Sequence, residues 1–419
     1  MKLKRILMVA AGAVFLLLFG VILNFTVENR GDRGRETDEE EAIHVLAPYK
    51  LWKQREILED IAREYESQAG NRRVEIEFLD REDYKKEICM RMDSGENADL
   101  IICDGTVMPA LIDMGVFQDI SDDITVERKN SIRYQALWDG VRSNGEYYGM
   151  PFTCDPYVLF YNKDTLNERG LSLPDSWEDL LELSGSIQKY SSKGFGFPAK
   201  TQDERTIFYT YLLYSMGGNY RNINKEGGIQ ALKTIRHLKK GKNISEDTIN
   251  WTKEDLAYAF SKGQVEMMAN SLSSISILRN TQTNFQPGVV CLPGEVKNSC
   301  ILMGENIGLT QHADPAAIDF MCYLYQSDVM ERITCAMDTL PLLQAENYQM
   351  KGIGPDEGEK LADTFLEEGY TVEPCDAWFE ISATISDGVY QVLNNSEVDR
   401  TEELAREMHA KVKVSIIEK

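Results

Sequence analysis

AIHVLAP (residues 42–48), LWKQREILEDIAREYESQ (51–68), RRVEIEFL (72–79), DYKKEICMRM (83–92) and ADLIICDG (98–105) are the segments whose reading decides the fold. The first is short, apolar and β-branched, as a buried strand is. In the second, Leu51, Trp52, Ile57, Leu58, Ile61, Ala62 and Tyr65 recur at helical spacing. The third alternates like a strand, the fourth reads as a short helix, and the fifth is an apolar run closed by Asp104-Gly105. A further helix over 106–114 is stopped by Gly115. Strand, helix, strand, helix, strand predicts parallel pairing with right-handed crossovers. In such sheets ligands sit beyond the carboxyl ends of the strands, which puts the loops 48–52 and 104–106 at a candidate mouth.

Working outward, residues 146–164 are strand-rich and interrupted by Gly149, Pro151 and Pro156. A helix follows Pro174, with Ser176 as its cap and Trp177, Leu180, Leu181, Leu183 and Ile187 as its apolar stripe. KGFGFPA (193–199) reads as a short strand. Helices are expected over 204–216, 229–240 and 252–261, and strands over 264–270, 285–293 and 301–310, the last broken at Gly304. Helices over 313–325, 329–337, 357–368, 378–393 and 401–414 complete the chain. At 419 residues it is long enough for about two or three domains.

The amino-terminal end bears on the compartment. Lys2, Lys4 and Arg5 precede an uncharged apolar stretch, residues 6–27, long enough to span a hydrocarbon core of about 30 Å. It reads as an uncleaved transmembrane anchor behind a cytoplasmic stub of residues 1–5; a cleaved signal peptide is the rival reading. Residues 28–41 are almost entirely charged and read as a tether. The rest then lies outside the cell. A net charge of −23 argues against binding nucleic acid. The eight cysteines form no CxxC pair and only four histidines are present, so neither a metal site nor a cofactor is expected. Cys291–Cys300 and Cys322–Cys335 are candidate bridges, with buried free thiols as the alternative.

Several segments, in order, resemble the extracellular solute-binding proteins of ABC importers, the maltose-binding (family 1) type. They are ADLIICDGTVMPALIDMGVFQDIS (98–121), YYGMPFTCDPYVLFYNKDTLNERGL (147–171) followed by PDSWEDLLE (174–182), AFSKGQVEMMAN (259–270), and ILMGENIGLTQHADPAAIDFMCYL (301–324). The resemblance covers about residues 43–414. It implies a periplasmic-binding-protein-like α/β fold of two lobes joined by hinge strands, with a ligand cleft between them. The first lobe would be 43–150 plus about 306–345, and the second 151–305 plus about 346–419. It also implies a monomer that captures a small solute, most simply a carbohydrate, hands it to ABC permease subunits and performs no chemistry. A ligand sensor serving a receptor or kinase, a polyamine- or metal-binding member of the same fold, and a secreted glycosidase are the alternatives. The chain departs from the family in lacking the lipoprotein cysteine after the apolar stretch, and in running from Asn270 into Ser271-Leu272-Ser273.

Sugar recognition needs apolar faces for the ring and planar polar groups for its hydroxyls. Tyr49 and Trp52 follow the first strand at the mouth; the alternative for Trp52 is to open the helix core. Asp104 ends the third strand, with a turn as its plainer role. By resemblance, Asp155 stands where sugar binders of the family often place an acid, and Trp378, in DAWFE, where a ligand-stacking aromatic is frequent. Tyr157, Asn270, Ser271 and Glu305 complete the candidate set, the last beside Asn306 in an otherwise apolar strand. Buried unpaired, such groups cost about 1–3 kcal/mol, so they call for a partner.

Overall fold

The computed structural model describes residues 42–417, apart from 69, 95–97, 190–192, 346–348 and 396–397. The expected anchor (6–27) and tether (28–41) lie outside the described residues. Among the described residues no helix is long and apolar enough to cross a membrane.

Strand β1 (Ile43–Ala47) pairs in parallel with β2 (Val74–Phe78) on one side and β3 (Leu100–Asp104) on the other. The helices Trp52–Glu66 and Arg81–Ser94 connect them, so the expected strand–helix alternation holds. A hairpin of β4 (Arg142–Ser143) and β5 (Glu146–Tyr147) turns through Asn144 and Gly145, both at positive φ. Next come β6 (Met150–Pro151) and β7 (Tyr157–Asn162), then, much later, β8 (Met267–Ser271), β9 (Pro287–Cys291) and β10 (Glu305–Leu309). The first sheet has the order β2-β1-β3-β10-β6, with β10 antiparallel to both β3 and β6. The second is antiparallel, β8-β7-β9.

Apolar side chains pack against both sheets. Beside the first, Tyr65 meets Phe320 edge-on at 5.0 Å. Around the second, Phe208 stacks on Phe197 at 3.8 Å, and Trp177 meets Phe208 edge-on and donates from its indole to Ser215 Oγ at 2.9 Å. Ser176 caps its helix through a reciprocal capping box with Asp179, as its sequence position suggests.

Two expectations need correction. Residues 193–199 make only isolated bridges, from Lys193, Phe195 and Gly196, because their backbone N–H groups divide between two stretches: Lys193 and Gly196 donate to Gln264 O and Met267 O, and Phe195 to Asn243 O. The strand expected over 301–310 shortens to β10, because residues 302–303 bond elsewhere: Leu302 N–H donates to Tyr370 O at 2.8 Å, and Met303 O accepts from Asp155 N–H at 2.7 Å.

All eight cysteines are free thiols. Of the two candidate bridges, Cys291 and Cys300 have their sulfurs 3.4 Å apart. Incubation with oxidised glutathione is expected to join these two by thiol–disulfide exchange, with release of reduced glutathione. The Cys300 contact and burial push the Cys291 thiol pKa up, so the reaction should accelerate from neutral to alkaline pH. Peptide mapping checks this; recovery of both residues unlinked would contradict it.

Candidate functional site

The carboxyl ends of β1 and β3 open, as the strand order requires, onto a cavity of about 220 Å³ lined also by residues from β7, β8 and β10. Its floor is where residues 151–155 and 302–306 cross. Phe152 and Thr153 N–H both donate to Glu305 O, at 2.8 and 3.0 Å, and Gly105 N–H donates to Gly304 O at 2.8 Å. The backbones approach so closely that a Cβ on Gly304 would sit 2.1 Å from Thr153 O.

Seven of the nine expected ligand residues line this cavity: Tyr49, Asp104, Asp155, Tyr157, Ser271, Glu305 and Trp378. Trp378 is held edge-on against Tyr220 at 5.2 Å. Tyr157 stacks on Tyr211 at 5.7 Å, and its backbone N–H donates to the Tyr211 hydroxyl. Trp52 does not belong. As the first residue of its helix it is 75% exposed, and the inner face is carried by Leu58, Ile61, Ala62 and Tyr65. Asn270 is fully buried outside the lining. Its amide donates to Lys253 O at 2.8 Å and its carbonyl accepts from Ser271 N–H at 2.9 Å, so it braces the loop behind the site.

Asp155 is the best-defined polar group. Its carboxylate accepts from Ser273 N–H at 2.9 Å and from Ser273 Oγ at 2.7 Å. Burial, reinforced by nearby Glu305, pushes its pKa from 3.8 to about 6, against the opposing pull of Lys253 and Ser273. An acid whose folded pKa is raised contributes stability that is fully present below its unfolded pKa. That contribution is lost as pH rises from about 4 through about 6. Asp155→Asn keeps the shape and the Ser273 contacts without the charge. It is therefore expected to melt no lower than the wild type at pH 7 and to show a flatter melting profile between pH 4 and 6. A lower melting temperature at pH 7 would contradict this.

Several lining residues escaped the sequence reading: Asp203, Glu204, Lys253, Glu254 and Ser273. Thr201 and Thr252 each open a helix with a reciprocal capping box, completed by Glu204 and Asp255. The Thr-x-x-Glu and Thr-x-x-Asp pattern was the available signal, but it locates helix starts and not what they face. Glu204 also accepts from Lys253 N–H at 2.7 Å, which ties the two helix starts together, and burial raises its pKa.

A two-sheet molecule with its cavity at the crossing strands is the setting in which the sequence comparisons fall. The model of the bacterial extracellular solute-binding proteins matches residues 60–347, more than half of the chain. The chain belongs to that family. Among curated relatives, this solute-binding protein is 21% identical over 243 residues to a putative binding protein of Brucella abortus, covering 56% of this chain and 59% of the relative. It is 22% identical over 260 residues to the maltotriose-binding protein of Pyrococcus abyssi, covering 61% of this chain and 53% of the relative. It thus spans little more than half the length of these curated relatives. Its fold is similar to that of maltose-bound MalE3 of T. maritima, with a TM-score of 0.76 at 18% identity, over 89% of this chain and 99% of that one. The solute-binding protein is in this respect a periplasmic-binding-protein-like α/β molecule.

Proposed function

We propose that this protein captures a small carbohydrate outside the cytoplasm and delivers it to the permease of an ABC importer, without chemical change to the solute. The observation that carries the reading is the cavity at the strand crossing, where Trp378 and Tyr157 offer apolar surface beside Asp104, Asp155 and Glu305. Flat apolar groups and fixed carboxylates are what a sugar ring and its hydroxyls need. The maltose and maltotriose named for similar proteins support the same solute class. In this reading two lobes, residues 43–150 with about 306–345 and 151–305 with about 346–419, close on the solute about the crossing strands. Residues 6–27 hold the protein to the membrane as a single span, and the chain acts as a monomer.

A thermal-shift screen of the full chain against neutral sugars, amino sugars, polyamines and peptides tests the reading. A solute present at about 100 times its Kd should stabilise the protein by about 2.7 kcal/mol. The reading fails if no saccharide raises the melting temperature while a polyamine or peptide does.

A further inference from the structure

The cavity is lined by eight carboxylates and two ammonium groups, with no arginine or histidine among the described lining residues. Lys50 is paired with Asp80 at 3.1 Å, so part of that small positive complement is already engaged. Three of the carboxylates converge at the strand crossing. Asp104 and Glu305 are direct cross-strand partners of β3 and β10, and both line the cavity. Directly opposed residues of an antiparallel pair project from the same face, and like charges there repel. Asp155 lies near enough to Glu305 to feel its charge.

Beside this trio is Asn306, only 3% exposed and also in the lining, whose side-chain Nδ2 has no hydrogen-bond partner among the described residues. A buried amide left in that state is unfavourable, and an acceptor oxygen on a solute would satisfy it. The site therefore offers two things at once: an amide donor for an acceptor oxygen, and an acidic trio that draws in positive charge beyond the pull Lys253 already exerts on Asp155. A neutral sugar meets the first alone, a polyamine the second alone, and an anionic sugar is repelled.

We propose that the solute is a cationic saccharide, a sugar or short oligosaccharide with a free amino group. Its ammonium sits among Asp104, Asp155 and Glu305, and a ring or hydroxyl oxygen accepts from Asn306. This rests on the carbohydrate reading and narrows it. Charge-assisted contacts to the trio supply discrimination that hydroxyls alone do not, and the chain's net charge of −23 steers a cation inward.

Calorimetric titration of the full chain with glucosamine oligomers, their N-acetylated counterparts and glucose oligomers of the same length tests it. The amines are expected to bind about tenfold tighter or more than either neutral series. Their affinity should fall about threefold or more as salt rises from about 0.05 to about 0.5 M. Glu305→Gln and Asp104→Asn, each checked for an unchanged melting temperature, should narrow the preference for amines while neutral binding moves less. Neutral oligomers binding as well as the amines would overturn the proposal and leave carbohydrate capture standing. Spermidine binding without any saccharide binding, or no binding by any of them, would overturn both.

Discussion

Replacing Arg279 by alanine is expected to destabilise the protein by about 3–5 kcal/mol. Its guanidinium makes a two-pronged contact with the Asp338 carboxylate, 2.8 Å on each side, and donates to Lys351 O at 3.1 Å. The Asp338 side chain is 1% exposed. Lys53 stands 3.6 Å away from the outside and cannot replace a planar fork. Removing the arginine takes the two-pronged partner from a carboxylate that stays buried, and Lys53 at 3.6 Å offers it only a point charge. Asp338 is also the left-handed residue that ends the helix Ser327–Met337, and its neighbours Met337 and Thr339 line the cavity. The loss should thus appear both in denaturant unfolding and in solute affinity. Arg279→Lys should recover little, because one ammonium cannot satisfy both oxygens. The double variant Arg279→Ala/Asp338→Asn should recover a measurable part by removing the buried negative charge. A single alanine variant within about 0.5 kcal/mol of the wild type would show the pair to be unimportant.

The second large effect is expected at Gly304. A Cβ there would meet Thr153 O at 2.1 Å, Thr153 C at 2.7 Å and Cys154 Cα at 3.1 Å. These are backbone atoms, so no side chain can swing aside. Gly304→Ala must force residues 151–155 and 302–306 apart, straining the bonds from Phe152 and Thr153 to Glu305 O and from Asp155 to Met303 O. Overpacking of this kind costs about 1–3 kcal/mol, and more when only backbone can yield, so about 3 kcal/mol is expected. Because the strain falls on the floor that orients Asp155 and Glu305, affinity should fall further than stability alone explains. Denaturant titration and calorimetry on the same sample separate the two. A variant of wild-type stability and affinity would refute the close crossing.

These two sites also mark where sequence reading stops. β1, β2 and β3 were legible because each apolar run is bounded by its own turn signals and the connecting helices carry their own stripes. The mouth followed from strand order, and Asp155 and Trp378 from the family resemblance. Trp52 misled because helical periodicity does not fix which side of the stripe a first-turn residue occupies, and it ended on the solvent side. The crossing at Gly304 depends on an approach to Thr153, and the Arg279–Asp338 pair joins residues 59 apart in the chain. Neither leaves a local pattern. The same holds for Glu204, Lys253 and Ser273, which reach the cavity only because two capped helix starts and a loop converge there.

The cavity at the strand crossing is expected to hold a saccharide and release it unaltered. Calorimetric titration of the full chain with the saccharide that most raises its melting temperature tests this most directly, alongside the double variant Asp155→Ala/Trp378→Ala. One saccharide should bind per chain, the double variant should lose about a hundredfold or more in affinity, and the saccharide should be recovered chemically intact. Undiminished binding in a folded double variant, or conversion of the saccharide to product, would contradict the account.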